Sequence, residues 1–220
     1  MIDFSNFEKV SDEAYVWRNF LGDELTDALF DESVALSNGS TREDREDRVQ
    51  LLHGEVDQRA VDKVTDFFKN TGFTIKNFLH WHNPPEIWFP IHRDEEAYDK
   101  TPLKKSWGGV LYLSDMDGGE LFYPTNNTWF KPGKGDLVLH TASIIHGAVA
   151  VKGDNKRFVT FVVYDENHPV NPEDQISDAE EADITMKAVM NSKEWLESDI
   201  GKKFIAYLEW YWGDRITPNN

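Results

Sequence analysis

The chain has 220 residues, with 23 Lys and Arg against 40 Asp and Glu, so its formal net charge is −17. Hydrophobic residues make up 40 % of it and aromatic residues 13 %, which argues against an intrinsically disordered chain. The negative charge disfavours nucleic acid as a partner, because it repels phosphate at long range. Cysteine is absent. Disulfides, thiolate nucleophiles and iron–sulfur clusters are therefore excluded, and any metal must be held by His, Asp or Glu.

The length fits a single domain, which we assign to residues 1–220. The N-terminal residues show no basic start followed by an apolar core, as a secretory signal would require. No apolar run approaches the roughly 18 residues that cross a bilayer. These patterns predict a cytoplasmic protein without a membrane partner.

Residues 1–72 are expected to form a helical N-terminal support. In the segment 21–36, apolar residues recur at three- and four-residue steps, which is the spacing of an amphipathic helix. The segment 55–70 repeats this pattern, and Gly72 follows it as a helix stop. The charged stretch 39–50 between them is typical of a solvated loop.

From residue 73 to residue 166 the chain changes to short β-branched and aromatic runs separated by Pro, Gly and Asn, which is typical of strands. The predicted strands are 74–83, 88–92, 108–114, 120–123, 128–130, 136–140, 144–151 and 157–164. Their number and their turn signals predict a jelly-roll core, a double-stranded β-helix, over 73–166.

The acidic remainder, 167–220, returns to helical periodicity over 178–190 and 192–212. The predicted fold class is therefore mainly β with flanking α, in which helices at both ends brace the jelly-roll core. The segment 95–106 lies between two predicted strands, and we expect it to form a lid or substrate loop.

A metal-binding pattern begins at His92. In an extended segment, residues two apart point to the same face, so His92 and Asp94 would converge while Arg93 turns away. A second histidine from a distant strand would complete the two-histidine, one-carboxylate set typical of non-haem Fe(II). His146 opens a predicted strand 52 residues after Asp94 and fits this place. His140 competes with it as a third ligand, but it ends its strand earlier.

A cation follows the late histidine. A guanidinium can grip a carboxylate with two hydrogen bonds, so Arg157 could hold the far end of a dicarboxylic co-substrate. Lys156 is the alternative, and only one of the two can face inward because neighbours alternate on a strand. We predict Arg157, since the strand run RFVTFVV begins there and Lys156 still belongs to the preceding turn.

Residues 74–166 resemble the Fe(II)/2-oxoglutarate-dependent dioxygenases, nearest to their prolyl 4-hydroxylase-like branch. The pieces that carry the resemblance occur in order: HRD at 92–94, GGVLYLS at 108–114, DGGELFYP at 117–124, KPGKGDLVLH at 131–140, HGAVAV at 146–151 and RFVTFVVYD at 157–165. The resemblance implies that His92, Asp94 and His146 bind iron as the catalytic centre. It also implies that Arg157 and Tyr112 contact 2-oxoglutarate.

The cofactors implied by the resemblance are Fe(II), 2-oxoglutarate as co-substrate, and O2. The implied activity is hydroxylation of a C–H bond, with a peptidyl-prolyl 4-hydroxylase-like enzyme as the first expectation. A 2-oxoglutarate-dependent hydroxylase of a small molecule is the alternative, and a non-catalytic jelly-roll binding module is the alternative from another class. The expected partners are a peptide, protein or small-molecule substrate, and the chain is expected to be a monomer or homodimer.

Overall fold

A computed structural model of the chain describes residues 2–39, 50–94, 106–152, 156–165 and 178–213. It is mainly β-sheet with a few helices, and all strand pairs are antiparallel. The larger sheet has seven strands, which are, in spatial order, β1 (Glu8–Lys9), β2 (Ala14–Trp17), β10 (Leu137–Thr141), β6 (Trp107–Tyr112), β13 (Lys156–Tyr164), β4 (Thr74–Asn83) and β3 (Gln50–Leu52). The smaller sheet has four strands, β5 (Phe89–His92), β11 (His146–Ala148), β8 (Leu121–Tyr123) and β9 (Thr128–Phe130). A short ladder joins β7 (Asp117–Gly118) to β12 (Val151–Lys152).

Both faces of the larger sheet are buried. Because side chains alternate along a strand, each strand contributes residues to both faces. On β13, Phe158 shares one buried cluster with Tyr123 and Ala148 of the smaller sheet. Its neighbours Val159 and Phe161 belong to a second cluster on the opposite face. The space between the two sheets is therefore reached only by alternate residues of β13.

Helices cover the outer faces of both sheets. Helices α1 (Asp23–Gly39) and α2 (Gln58–Phe68) pack on the larger sheet, and Leu29, Val64 and Phe68 are buried there. The helices α3 (Asp178–Asn191), α4 (Lys193–Glu197) and α5 (Asp199–Gly213) follow the last strand. They pack on the smaller sheet through residues that include Trp195 and Phe204, which contact Phe122. None of the helices in the described ranges combines the length and the apolar character needed to cross a membrane.

Most of the predicted elements are present. The strands predicted at 74–83 and 128–130 have the observed bounds, and the helices predicted at 21–36, 55–70 and 178–190 lie within a few residues of theirs. The predicted strand 144–151 is divided into β11 and β12. The predicted helix 192–212 is also divided, since Ser198 has an extended backbone with ψ of 163° between α4 and α5.

The N-terminal support is less helical than predicted, because β1, β2 and β3 join the larger sheet. These strands have two to four residues, too few to display a period of two in the sequence. β2 owes its conformation to pairing with β10, with Val16 opposite Val138. Most of the charged loop at 39–50 and of the expected lid at 95–106 lies outside the described residues.

Candidate active site

Three predicted metal ligands meet at one end of the smaller sheet. β5 ends at His92, and its antiparallel partner β11 begins at His146, so the two histidines are direct cross-strand partners. Their ring centroids are 4.3 Å apart. The backbone N–H of Asp94 donates to the carbonyl of Ala142 at 3.0 Å, which holds the segment after β5. One ligand atom from each of His92, Asp94 and His146 lies within 4.8 Å of the other two.

Both histidines present the same nitrogen to this cluster. The Nδ1 of His92 is 2.9 Å from the carbonyl of Pro90, and the Nδ1 of His146 is 3.0 Å from that of Ile144. A carbonyl only accepts, so each Nδ1 carries a proton and each Nε2 is the nitrogen turned toward the cluster. The two Nε2 atoms lie 3.4 Å and 3.8 Å from Oδ1 of Asp94. The donor set is therefore two imidazole nitrogens and one carboxylate oxygen, preoriented by backbone contacts.

The protonation of the cluster suits a divalent cation. Burial, together with the neighbouring rings of His140 and His92, holds the pKa of His146 well below its ordinary value, so its imidazole stays neutral. Burial alone would raise the pKa of Asp94, but the surrounding imidazoles hold it well below its ordinary value. A neutral imidazole at His146 beside an ionised carboxylate at Asp94 fits the donors that Fe(II) takes in facial-triad sites.

His140 does not join the three ligands. Its Nε2 lies 2.8 Å from Oδ2 of Asp94, whereas the Nε2 atoms of His92 and His146 contact Oδ1. Its Nδ1 lies 3.4 Å from the hydroxyl of Tyr123. The sequence indicated His140 as a competing ligand; in the structure it lines the cavity beside His146, with the two ring centroids 4.1 Å apart, and its Nε2 contacts the second carboxylate oxygen.

A cavity opens between the two sheets next to the ligand cluster. Its volume is about 420 Å³ with its open mouth included. The walls are largely apolar and are formed by Phe89, Val110, Leu121, Ala148 and Phe158. Polar groups enter from Tyr112, Lys156 and Thr160 of the larger sheet. The predicted contact residue Tyr112 thus lines the cavity, and burial raises the pKa of its phenol, which therefore keeps its proton.

The cation in the cavity wall is Lys156. Its side chain is 2 % exposed, and its Nζ lies 5.5 Å from the ring centres of Tyr112 and Phe158. It forms no ion pair with any residue that the structure describes. Burial lowers the pKa of Lys156 to about 7. Glu120 attracts the ammonium electrostatically and opposes this shift, but no described residue forms an ion pair with it. A buried ammonium without an ion-pair partner is costly, which favours an anion as the missing partner.

Arg157 lies on the opposite face of β13. Its Nη1 donates to the carbonyl and hydroxyl oxygens of Ser33, at 2.9 Å and 3.0 Å, and to the hydroxyl of Ser37 at 2.8 Å. The expected inward orientation of Arg157 is therefore wrong. The pairing of Lys156 with Asn83 explains the difference, because β13 begins one residue earlier than predicted. Alternation along the strand then places Lys156 in the cavity and Arg157 against α1.

Two further histidines share the outer face with Arg157. The Nε2 of His80 lies 3.0 Å from a carboxylate oxygen of Glu32, and the Nδ1 of His82 lies 2.9 Å from the side-chain oxygen of Gln50. They belong to the interface between β4 and the N-terminal elements. Neither residue lines the cavity.

The sequence matches no family model and no curated protein. Solved structures do match. Collagen prolyl hydroxylase vCPH from Paramecium Bursaria Chlorella virus-1, solved as a 2OG complex, has a TM-score of 0.54 at 17 % identity, covering 70 % of this chain and 96 % of that one. A Pseudomonas putida prolyl-4-hydroxylase has a TM-score of 0.51 at 20 % identity, covering 69 % and 92 %. The epimerase SnoN, solved with Fe3+, alpha ketoglutarate and nogalamycin RO, reaches 0.59 at 12 % identity, covering 74 % and 83 %.

These matches define the class of fold. The chain shares its fold with prolyl hydroxylases and with alpha ketoglutarate-dependent proteins that act on other molecules. The resemblance drawn from the sequence motifs is thereby confirmed at the level of the fold.

Proposed function

We propose that this chain is an Fe(II)- and 2-oxoglutarate-dependent oxygenase that hydroxylates a C–H bond. The observation that carries the proposal is the pairing of the His92, Asp94 and His146 cluster with a buried cation, Lys156, in one cavity. Two features of the donor set fit iron: one ligand atom from each of the three residues lies within 4.8 Å of the others, and the carboxylate of Asp94 is ionised. When bound, iron and 2-oxoglutarate supply the O2 activation that hydroxylation requires.

Each of the remaining groups has a role in this proposal. His92, Asp94 and His146 hold the metal, and Lys156 holds the far carboxylate of 2-oxoglutarate by a charge-assisted hydrogen bond. The protonated phenol of Tyr112, in the same wall, donates to that carboxylate. The apolar walls exclude water and so strengthen both contacts.

A peptidyl proline is the substrate that we propose first. The vCPH and Pseudomonas putida matches are prolyl hydroxylases, and a further match is a prolyl hydroxylase with a hypoxia inducible factor peptide, from Trichoplax adhaerens, at a TM-score of 0.55. A small-molecule substrate is the second candidate. It is favoured by SnoN, whose TM-score of 0.59 exceeds those of the prolyl hydroxylases named here.

Three finer points belong to the same proposal. The two facing sheets form a double-stranded β-helix, and the chain is one catalytic domain over 1–220. In this domain the core, 73–166, is supported by 1–72 and by 167–220. Packing of helices from both ends on the sheets that enclose the cavity supports this organisation.

The proposed function is tested on the wild-type chain. Fe(II) and 2-oxoglutarate added together without oxygen should produce a visible metal-to-ligand charge-transfer band, which neither produces alone. Folded protein without this band would contradict the cofactor assignment. With oxygen admitted, succinate release that depends on a proline-containing peptide, with gain of one oxygen atom by the peptide, would support the prolyl substrate. Succinate release unaffected by every peptide would favour the small-molecule alternative.

The affinity for 2-oxoglutarate is expected to fall as the pH rises above about 7. Only the protonated form of Lys156 attracts a carboxylate, and burial lowers the pKa of this residue to about 7. Above that pH the protonated fraction falls about tenfold per pH unit, so the dissociation constant should rise in proportion. Calorimetric titration of the Mn(II)-loaded protein at several pH values measures the slope. Lys156→Arg is the control, because its guanidinium stays charged and its profile should be flat. A flat wild-type profile would contradict the assignment.

A further inference from the structure

The two oxygens of the Asp94 carboxylate have different partners. Oδ1 faces the Nε2 atoms of His92 and His146 at 3.4 Å and 3.8 Å. Oδ2 faces the Nε2 of His140 at 2.8 Å. His140 comes from β10 of the larger sheet and is fully buried. The opposite sheet thus contacts Oδ2 of the carboxylate, and the two predicted ligand histidines lie near Oδ1.

His140 connects Asp94 to Tyr123. An ionised carboxylate only accepts, so the Nε2 of His140 carries a proton and donates to Oδ2. The hydroxyl of Tyr123 lies 3.4 Å from the Nδ1 on the other side of the ring. Tyr123 is itself fully buried on β8, so its hydroxyl has no competing solvent. His140 thus lies between Tyr123 and Asp94, with one ring nitrogen facing each of them.

Gly108 provides the space for this contact. It lies directly opposite His140 in the pairing of β6 with β10. A Cβ atom at this position would lie 2.0 Å from Oδ2 of Asp94 and 2.7 Å from Nε2 of His140. Gly108 is not among the glycines with a positive φ, so its backbone conformation does not require glycine. The close approach of the carboxylate and the imidazole does require it.

We propose that His140 is a positioning residue of the metal centre. By donating to Oδ2 it holds Asp94 so that Oδ1 alone is presented to the metal, while the hydroxyl of Tyr123 contacts its other ring nitrogen. This inference about His140 rests on the proposed function, which identifies the cluster of His92, Asp94 and His146 as a metal site. Partners that orient a metal ligand typically contribute about 10–100-fold to metal affinity.

The test measures Co(II) binding by the ligand-free protein, without 2-oxoglutarate and without turnover. Co(II) has visible absorption that reports the number and arrangement of its ligands. His140→Phe removes the donor and keeps a buried ring, and it should weaken Co(II) binding about 10–100-fold with an altered spectrum. His140→Gln keeps an N–H donor and should recover most of the affinity and the wild-type spectrum. Tyr123→Phe should cause a smaller loss of Co(II) affinity, because it removes only the hydroxyl next to Nδ1 of His140 and leaves the contact of His140 with Asp94.

Gly108→Ala provides a second test in case His140→Phe fails to fold. It keeps the imidazole of His140, but the added Cβ would clash with both Oδ2 of Asp94 and Nε2 of His140 and so break their contact. It should weaken Co(II) binding by at least as much as His140→Phe. His82→Gln is the matched control, since His82 lies outside the cavity and should leave both affinity and spectrum unchanged. Wild-type affinity in folded His140→Phe and Gly108→Ala, or no recovery in His140→Gln, would overturn the inference. Failure of the wild-type chain to bind Co(II) would instead count against the proposed metal site.

Discussion

His146→Ala is expected to abolish the anaerobic charge-transfer band and the formation of succinate. The substitution removes one of the three proposed protein ligands, and the Nε2 of the neighbouring His140 is engaged with Oδ2 of Asp94. The loss of metal affinity should exceed the roughly 100-fold that follows removal of an orienting partner. Anaerobic Fe(II) titration in the presence of 2-oxoglutarate, followed in the visible, measures the effect.

The matched control is His80→Ala, which also removes a buried histidine from a strand. His80 contacts Glu32 on the face of the larger sheet that packs against α1, so its loss should lower stability and leave the band in place. Circular dichroism and a melting curve would show that both variants are folded. A band of wild-type intensity in folded His146→Ala would remove the basis for the proposed iron site.

The clustering of the three proposed metal ligands is the part of the candidate site that the sequence predicts. His92 and Asp94 are two residues apart, so the geometry of an extended segment is enough to place them together. His146 is distant in sequence, and its assignment depended on the order of motifs shared with a known family. The structure adds the cross-strand pairing of His146 with His92, which no local pattern in the sequence contains.

The neighbouring cation could not be placed from the sequence. Lys156 and Arg157 are adjacent and both positively charged, so composition does not distinguish them. The choice depends on how β13 pairs with its neighbours, because a shift of one residue in the pairing register exchanges the two faces of a strand. Lys156 looked like part of the hairpin turn, but its pairing with Asn83 makes it the first residue of the strand.

The role proposed for His140 could not be predicted from the sequence either. Its partners, Asp94 and Tyr123, come from a different sheet, and Gly108 comes from a neighbouring strand. Only tertiary contacts bring these residues together. A glycine without positive φ beside a ligand carboxylate is the kind of feature that a structure reveals and that a motif does not.

Lys156→Ala is expected to abolish binding of 2-oxoglutarate while Mn(II) still binds. Removing one member of a buried, hydrogen-bonded charge pair costs about 3 kcal/mol or more, so the dissociation constant should rise by more than about 100-fold. Calorimetric titration of the metal-loaded variant with 2-oxoglutarate measures this dissociation constant.

The near-isosteric Lys156→Met should show the same loss of 2-oxoglutarate binding. Without ligand, Lys156→Met should be more stable than wild type, because burial of the unpaired ammonium is costly.

Arg157→Ala should lower the stability of the protein and leave its affinity for 2-oxoglutarate unchanged. Its guanidinium makes three hydrogen bonds to Ser33 and Ser37 of α1, so its loss should lower the free energy of unfolding by about 3 kcal/mol. The affinity for 2-oxoglutarate should stay at the wild-type value, because the guanidinium lies outside the cavity. Denaturant unfolding and calorimetric titration of Lys156→Ala and Arg157→Ala therefore distinguish the roles of the two residues. Loss of 2-oxoglutarate binding in Arg157→Ala, with binding retained in Lys156→Ala, would mean that β13 faces the cavity in the other register.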